Sequence, residues 1–138
     1  MQPTDAIILI SLSVLAGVLE FLAAAFITGF VARRLRIEDA TFPTFLQALW
    51  ATFLRDVAIA LSFQVLYSYL GVPLGVSLLV AAGALPVVVH KLVFETSLTR
   101  AGLLWLMVAP AEAVVAGALG GGAALLARSW QVHPPPLF

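Results

Sequence analysis

Four stretches of this chain, residues 6–31, 44–70, 72–94 and 101–127, are almost wholly apolar; short polar segments follow the first and the third, and a glycine turn joins the second to the third. Each exceeds the roughly 20 residues that a helix needs to cross a hydrocarbon core about 30 Å thick. The pattern predicts an all-α integral membrane protein, a bundle of four transmembrane helices in one domain over residues 1–130. The remaining residues, 131–138, with Pro134, Pro135 and Pro136 in a row, are expected as an extended polyproline tail. Leu70 to Gly75 is an uncharged turn, with Pro73 placed to open the next helix. Pro86 is expected to kink the third span and Pro110 to interrupt the fourth.

Inside the second stretch the apolar pattern breaks at Arg55 and Asp56. Ionisable groups midway along a span cost several kcal/mol unless they are paired or wetted, so these two need partners from other helices. At 100° per residue, Thr44, Ala48, Ala51, Thr52, Ile59, Ser62 and Tyr69 fall within roughly 60° of Arg55, while Trp50, Phe53, Val57 and Leu61 lie opposite. The small and polar face is expected to look into protein and the bulky one into lipid.

Two more acids lie at the same depth. Glu20, Arg55 and Glu112 are each 11 residues in from Val31, Thr44 and Ala101 respectively, about 16 Å by helical rise. Glu20 shares a face with Ser13, Ala16, Gly17, Ala23 and Ala24, and Glu112 with Trp105, Ala109, Ala116 and Ala123, so both are expected to point into the bundle. A midplane layer of Glu20, Arg55, Asp56 and Glu112 follows, with one positive against three negative charges. One reading is structural: Arg55 pairs with Glu20 or Glu112 and fixes which helices pack together. The other is a proton or cation site of a small transporter or channel element. On the opposite face of the fourth span, Gly117 and Gly121 form a GxxxG, a small-residue face suited to a close helix neighbour, either the third span or a second chain.

Charge placement gives an orientation. Arg33, Arg34 and Arg36 follow the first span and Lys91 and Arg100 flank the connection after the third, while the middle turn has no basic residue. Under the positive-inside rule, loops 32–43 and 95–100 are cytoplasmic and both termini lie outside, with Arg128 dissenting. Thr41, Thr44, Leu49 and Trp50 recur 55 residues later as Thr96, Thr99, Leu104 and Trp105, and Arg36 is echoed by Lys91. Two parallel helical hairpins would give this echo. So would any pair of spans that each need a threonine cap and an interfacial tryptophan.

Composition narrows the function classes. Of 138 residues, 62% are hydrophobic and 10% charged, seven basic against seven acidic, and mean hydropathy is +1.10. That is outside the range of soluble domains, and it leaves no basic surface for nucleic acid. The absence of Cys excludes disulfides, thiolate metal sites and cysteine nucleophiles. His90 and His133 are isolated, so neither a metal nor a haem site is expected, and no nucleophile with a base and no phosphate loop is present. No cofactor and no enzymatic activity are expected. The Ala, Leu, Gly and Val bias, with six Arg to one Lys, suits a bacterial inner membrane.

Four spans in a chain this short, with a Glu within Val18-Leu19-Glu20-Phe21 of the first, resemble the small multidrug-resistance exporters. That resemblance implies a role for Glu20 in carrying a cation or protons. Arg55-Asp56, the prolines of spans three and four, and Glu112 depart from that family's pattern. The sequence as a whole points to an accessory or scaffold subunit that packs in the bilayer against other membrane chains or a second copy. A proton- or cation-coupled element is the alternative.

Overall fold

A computed structural model describes residues 3–37 and 44–132. Helix α1 covers Pro3–Arg34 and α2 covers Thr44–Phe63, continuing as a π-helical segment through Gln64–Tyr69. The third span is composite: α3, Leu74–Leu78, a π-helical segment, Leu79–Ala84, and α4, Leu85–Val93. Helix α5 runs over Leu98–Val132. Four of these stretches, Ala6–Arg34, Phe45–Tyr69, Leu74–Val93 and Leu98–Ser129, are long and apolar enough to cross a membrane. The chain is an all-α four-helix membrane bundle.

Helix bounds differ from the apolar stretches in instructive ways. The first helix continues through Arg33 and Arg34, because the backbone stays helical after the side chains turn polar. At its far end α5 takes in Gln131 and Val132, two residues expected in the tail; His133 and the three prolines after it lie outside the described residues. Pro73 caps α3 rather than opening it, with ψ 142°, and Gly71 supplies the turn with φ +65°. The expected interruption at Pro110 is absent, since α5 is helical across it. A proline removes one backbone bond, and a 35-residue helix embedded beside other helices tolerates that loss.

The third span handles its proline differently. Its buried positions are Ser77, Ala81, Pro86, His90 and Phe94. The steps between them are four residues, except for one of five between Ala81 and Pro86, which crosses the π-helical segment Leu79–Ala84. A π turn carries i→i+5 bonds and an extra residue, so it rotates the following helix relative to a regular α pattern. That rotation puts His90 and Phe94 on the same inward face as Ser77. The π-helical end of the second span has the corresponding effect on Tyr69, which is 77% exposed rather than on the Arg55 face.

The helices stand in a ring in the order α1, α2, third span, α5. Each packs on its two neighbours, and α1 packs on α5 to close the ring. The second and fourth spans are therefore diagonal. Ala48, Ala51, Thr52 and Arg55 are buried on the inward side of α2, while Trp50, Phe53, Val57 and Leu61 are exposed outward, as their helical phase requires. The main core gathers Val31, Ala32, Ala51, Phe94, Leu104 and Val108.

Both connections at this end leave their helix through a left-handed residue, Arg36 with φ 50° and Glu95 with φ 49°. Ile37 N–H then bonds to the carbonyl of Ala32, and Thr96 N–H to that of Lys91, each five residues back, as in a Schellman ending. This corrects the sequence echo. The structural counterpart of Arg36 is Glu95, whereas Lys91 is inside a helix. Trp50, 60% exposed, and Trp105, partly buried in the core, likewise do not occupy equivalent places.

Candidate functional site

Arg55 is 2% exposed and carries the site. Its Nε and Nη2 both donate to Oδ1 of Asp56, at 2.9 and 2.8 Å, and its Nη1 donates to Oε1 of Glu112 at 2.7 Å. Because α2 and α5 are diagonal in the ring, the bond to Glu112 crosses the middle of the bundle. Of the two acids that could have reached Arg55 from another helix, the structure selects Glu112. The guanidinium also lies over the Trp105 ring, 5.1 Å from its centroid. An arginine fork is suited to this arrangement, since it presents five N–H donors in one plane and stacks on aromatic faces.

Trp105 is held in turn by its own hydrogen bond. Pro86 has no N–H, so it can give no α-helical bond to the carbonyl of Ala82, four residues earlier. Trp105 Nε1 donates to that oxygen at 2.9 Å. The ring so fixed stands 5.8 Å from the ring of His90, which is fully buried and also lies 6.2 Å from Phe94. Both ring nitrogens of His90, and the hydroxyls of Thr28 and Thr52, are buried with no hydrogen-bond partner among the described residues. The sequence placed Trp105 on the Glu112 face but gave it no partner, and it left His90 at the interface. Only the five-residue step in the third span brings that histidine inside.

Glu20 stands apart. It is exposed rather than packed, and no hydrogen bond or ion pair to it is present among the described residues. It meets the other acids across a cavity of about 280 Å³ between α1, α2 and α5, whose walls include Gly17, Glu20, Phe21, Asp56, Glu112 and Val115. The Asp56 side chain is 50% exposed there and that of Glu112 17%. The cavity thus collects three carboxylates, two of which already share one arginine. Among the described residues no three His, Cys, Asp or Glu side chains are arranged to hold a metal ion.

Packing differs sharply on the two sides of this layer. Toward the end bearing Arg34 and Arg100, α1 buries Ala24, Ala25, Thr28, Val31 and Ala32, α2 buries Ala48, Ala51 and Thr52, and α5 buries Ala101, Leu104 and Val108. Toward the Gly71 end, α1 before Glu20, α2 after Arg55 and α5 after Glu112 bury no side chain among the described residues. Only Ser77 and Ala81 of the third span are buried there. The bundle is closed on one side of the charged layer and open on the other.

The glycine face of α5 belongs to the open half. Gly117 and Gly121 are exposed, and a methyl group built on either would meet nothing within 4 Å. The neighbour that the GxxxG spacing calls for is therefore not the third span. No family model, no curated protein and no solved structure matches this chain.

Proposed function

We propose that this chain is a small, non-enzymatic accessory or scaffold subunit of a larger membrane assembly. It sits in a bacterial inner membrane with both termini outside and with loops 32–43 and 95–100 on the cytoplasmic side. The observation that carries this reading is the unfilled half of the bundle. Three of the four spans bury side chains between the Arg34/Arg100 end and the Arg55 layer and, among the described residues, none beyond it. Lipid can cover apolar side chains in that half, but it covers Glu20 and Asp56 only at a cost of several kcal/mol each if they sit at mid-depth. A neighbouring protein removes that cost. The empty glycine face on the same half of α5 supports the same reading, because small residues admit a close helix.

The test is the size and composition of the protein extracted in mild detergent at native expression. A particle of several chains is expected, well above the 14.6 kDa of one copy. Gly121→Leu is expected to shift it toward the single chain while leaving the melting temperature of the isolated chain unchanged, since the added side chain meets nothing within its own fold. A monodisperse single chain from the native membrane would overturn the proposal.

A second reading has its own observation. The cavity lined by Glu20, Asp56 and Glu112 is a polar concavity at the middle of the spans, suited to a proton- or cation-coupled element.

A further inference from the structure

The open half of the bundle has a shape and a charge, and together they specify what fits it. Its floor is the cavity bounded by Glu20, Asp56 and Glu112. Arg55 directs its three side-chain hydrogen bonds to Asp56 and Glu112, so the layer keeps a surplus of two formal negative charges and Glu20 is left without a counterion among the described residues. Above the floor, α1 from Glu20 back to Ala6, 14 residues or about 21 Å, buries no side chain among the described residues. That is the length of half a bilayer and more, so a small ion on the floor would leave the rest of the cleft unfilled.

Among the described residues, no Lys or Arg other than Arg55 lies at the depth of Glu20. Arg33, Arg34, Arg36, Lys91 and Arg100 all belong to the closed end, and Arg128 lies 16 residues beyond Glu112, about 24 Å along α5. A second copy offers no remedy either. It would bring the same surplus of acid to the same depth, and like charges facing each other in a low-dielectric cleft repel.

We propose that the cleft between α1, α2 and α5 receives one transmembrane helix of a different protein, carrying a single Lys or Arg at mid-depth whose cation is held by Glu20 and Asp56. This rests on the assembly reading above and names the chemistry of the partner. The glycine face at Gly117 and Gly121 points away from Glu112, so it is a separate surface and the two contacts can be broken independently.

The experiment uses the full chain in lipid vesicles. Gly75→Cys carries a donor dye, since the chain has no Cys of its own and Gly75 stands in the third span, outside the cleft, with nothing within 4 Å of an added side chain. Synthetic Leu/Ala helices of about 21 residues, with Lys, Leu or Glu at the central position, carry the acceptor. Energy transfer is followed as a function of peptide-to-lipid ratio. The central-Lys helix is expected to associate about tenfold more tightly than the central-Leu helix, and the central-Glu helix more weakly than either. Glu20→Gln with Asp56→Asn should remove the advantage of Lys, and Glu20→Lys should transfer it to the central-Glu helix. The reversed pair keeps the test decisive even if the double amide variant folds poorly. Equal association of the Lys and Leu helices, or a Lys advantage that survives both carboxamide substitutions, overturns the inference. A native complex that persists intact in the Glu20→Gln, Asp56→Asn protein would also overturn it, while leaving the assembly reading in place.

Discussion

The indole N–H of Trp105 reaches the carbonyl oxygen of Ala82 at 2.9 Å, an oxygen to which Pro86, four residues further along the third span, can give no α-helical N–H. One substitution in the backbone of one helix is thus completed by a side chain of the next. The same ring then supports Arg55 on its face and borders His90.

Trp105→Phe should therefore cost about 0.5–1.5 kcal/mol, the net worth of a hydrogen bond to a part-buried carbonyl. The cost should shrink when Pro86→Ala restores the helical N–H. A double-mutant cycle of unfolding in detergent measures the coupling between the two positions. Strict additivity would mean that the bond contributes nothing to stability.

Arg55 has two carboxylate partners, which sets an order among the variants. Glu112→Ala leaves Asp56 in place and should cost less than the 3–5 kcal/mol typical of a buried pair broken outright. Removing both acids should reach that range, because Arg55 is then buried and unpaired. Arg55→Leu should cost less than the double removal, since the acids that remain are more exposed than the arginine. Unfolding midpoints of the four proteins give the order directly.

The transport reading makes a different demand on the same residues. Glu20→Gln and Glu112→Gln keep shape and remove charge, so neither should abolish folding. The expected result is no proton or cation flux in liposomes under a pH gradient, for the parent or for either variant. Flux in the parent that vanishes in both variants, at equal incorporation, would place the cation-coupled reading first.

Orientation can be tested with single cysteines at Gln2, Asp39, Gly71 and Gln131. An impermeant reagent on intact cells should label positions 2, 71 and 131 and spare position 39. The opposite pattern would reverse the topology inferred from the arginines and Lys91.

The sequence by itself determined the four spans and the outward face of α2. Apolar length against bilayer thickness fixes the first, and Trp50, Phe53, Val57 and Leu61 follow a phase that holds as long as the helix stays α. It also put Glu20, Arg55, Asp56 and Glu112 at one depth, because depth along a helix depends only on residue count. Which acid pairs with Arg55 depends instead on the order of helices around the ring, and no periodicity within one span encodes that order. The structure seats α2 and α5 on the diagonal and gives the bond to Glu112. His90 escaped the sequence for a second reason: the π turn before Pro86 adds a residue to the pattern and rotates everything after it, so a phase counted at 100° per residue points the ring the wrong way. The open half had no sequence signal at all. Small and apolar residues continue along α1, α2 and α5 past the charged layer much as before it, and only the tertiary arrangement decides that the helices stop burying one another there.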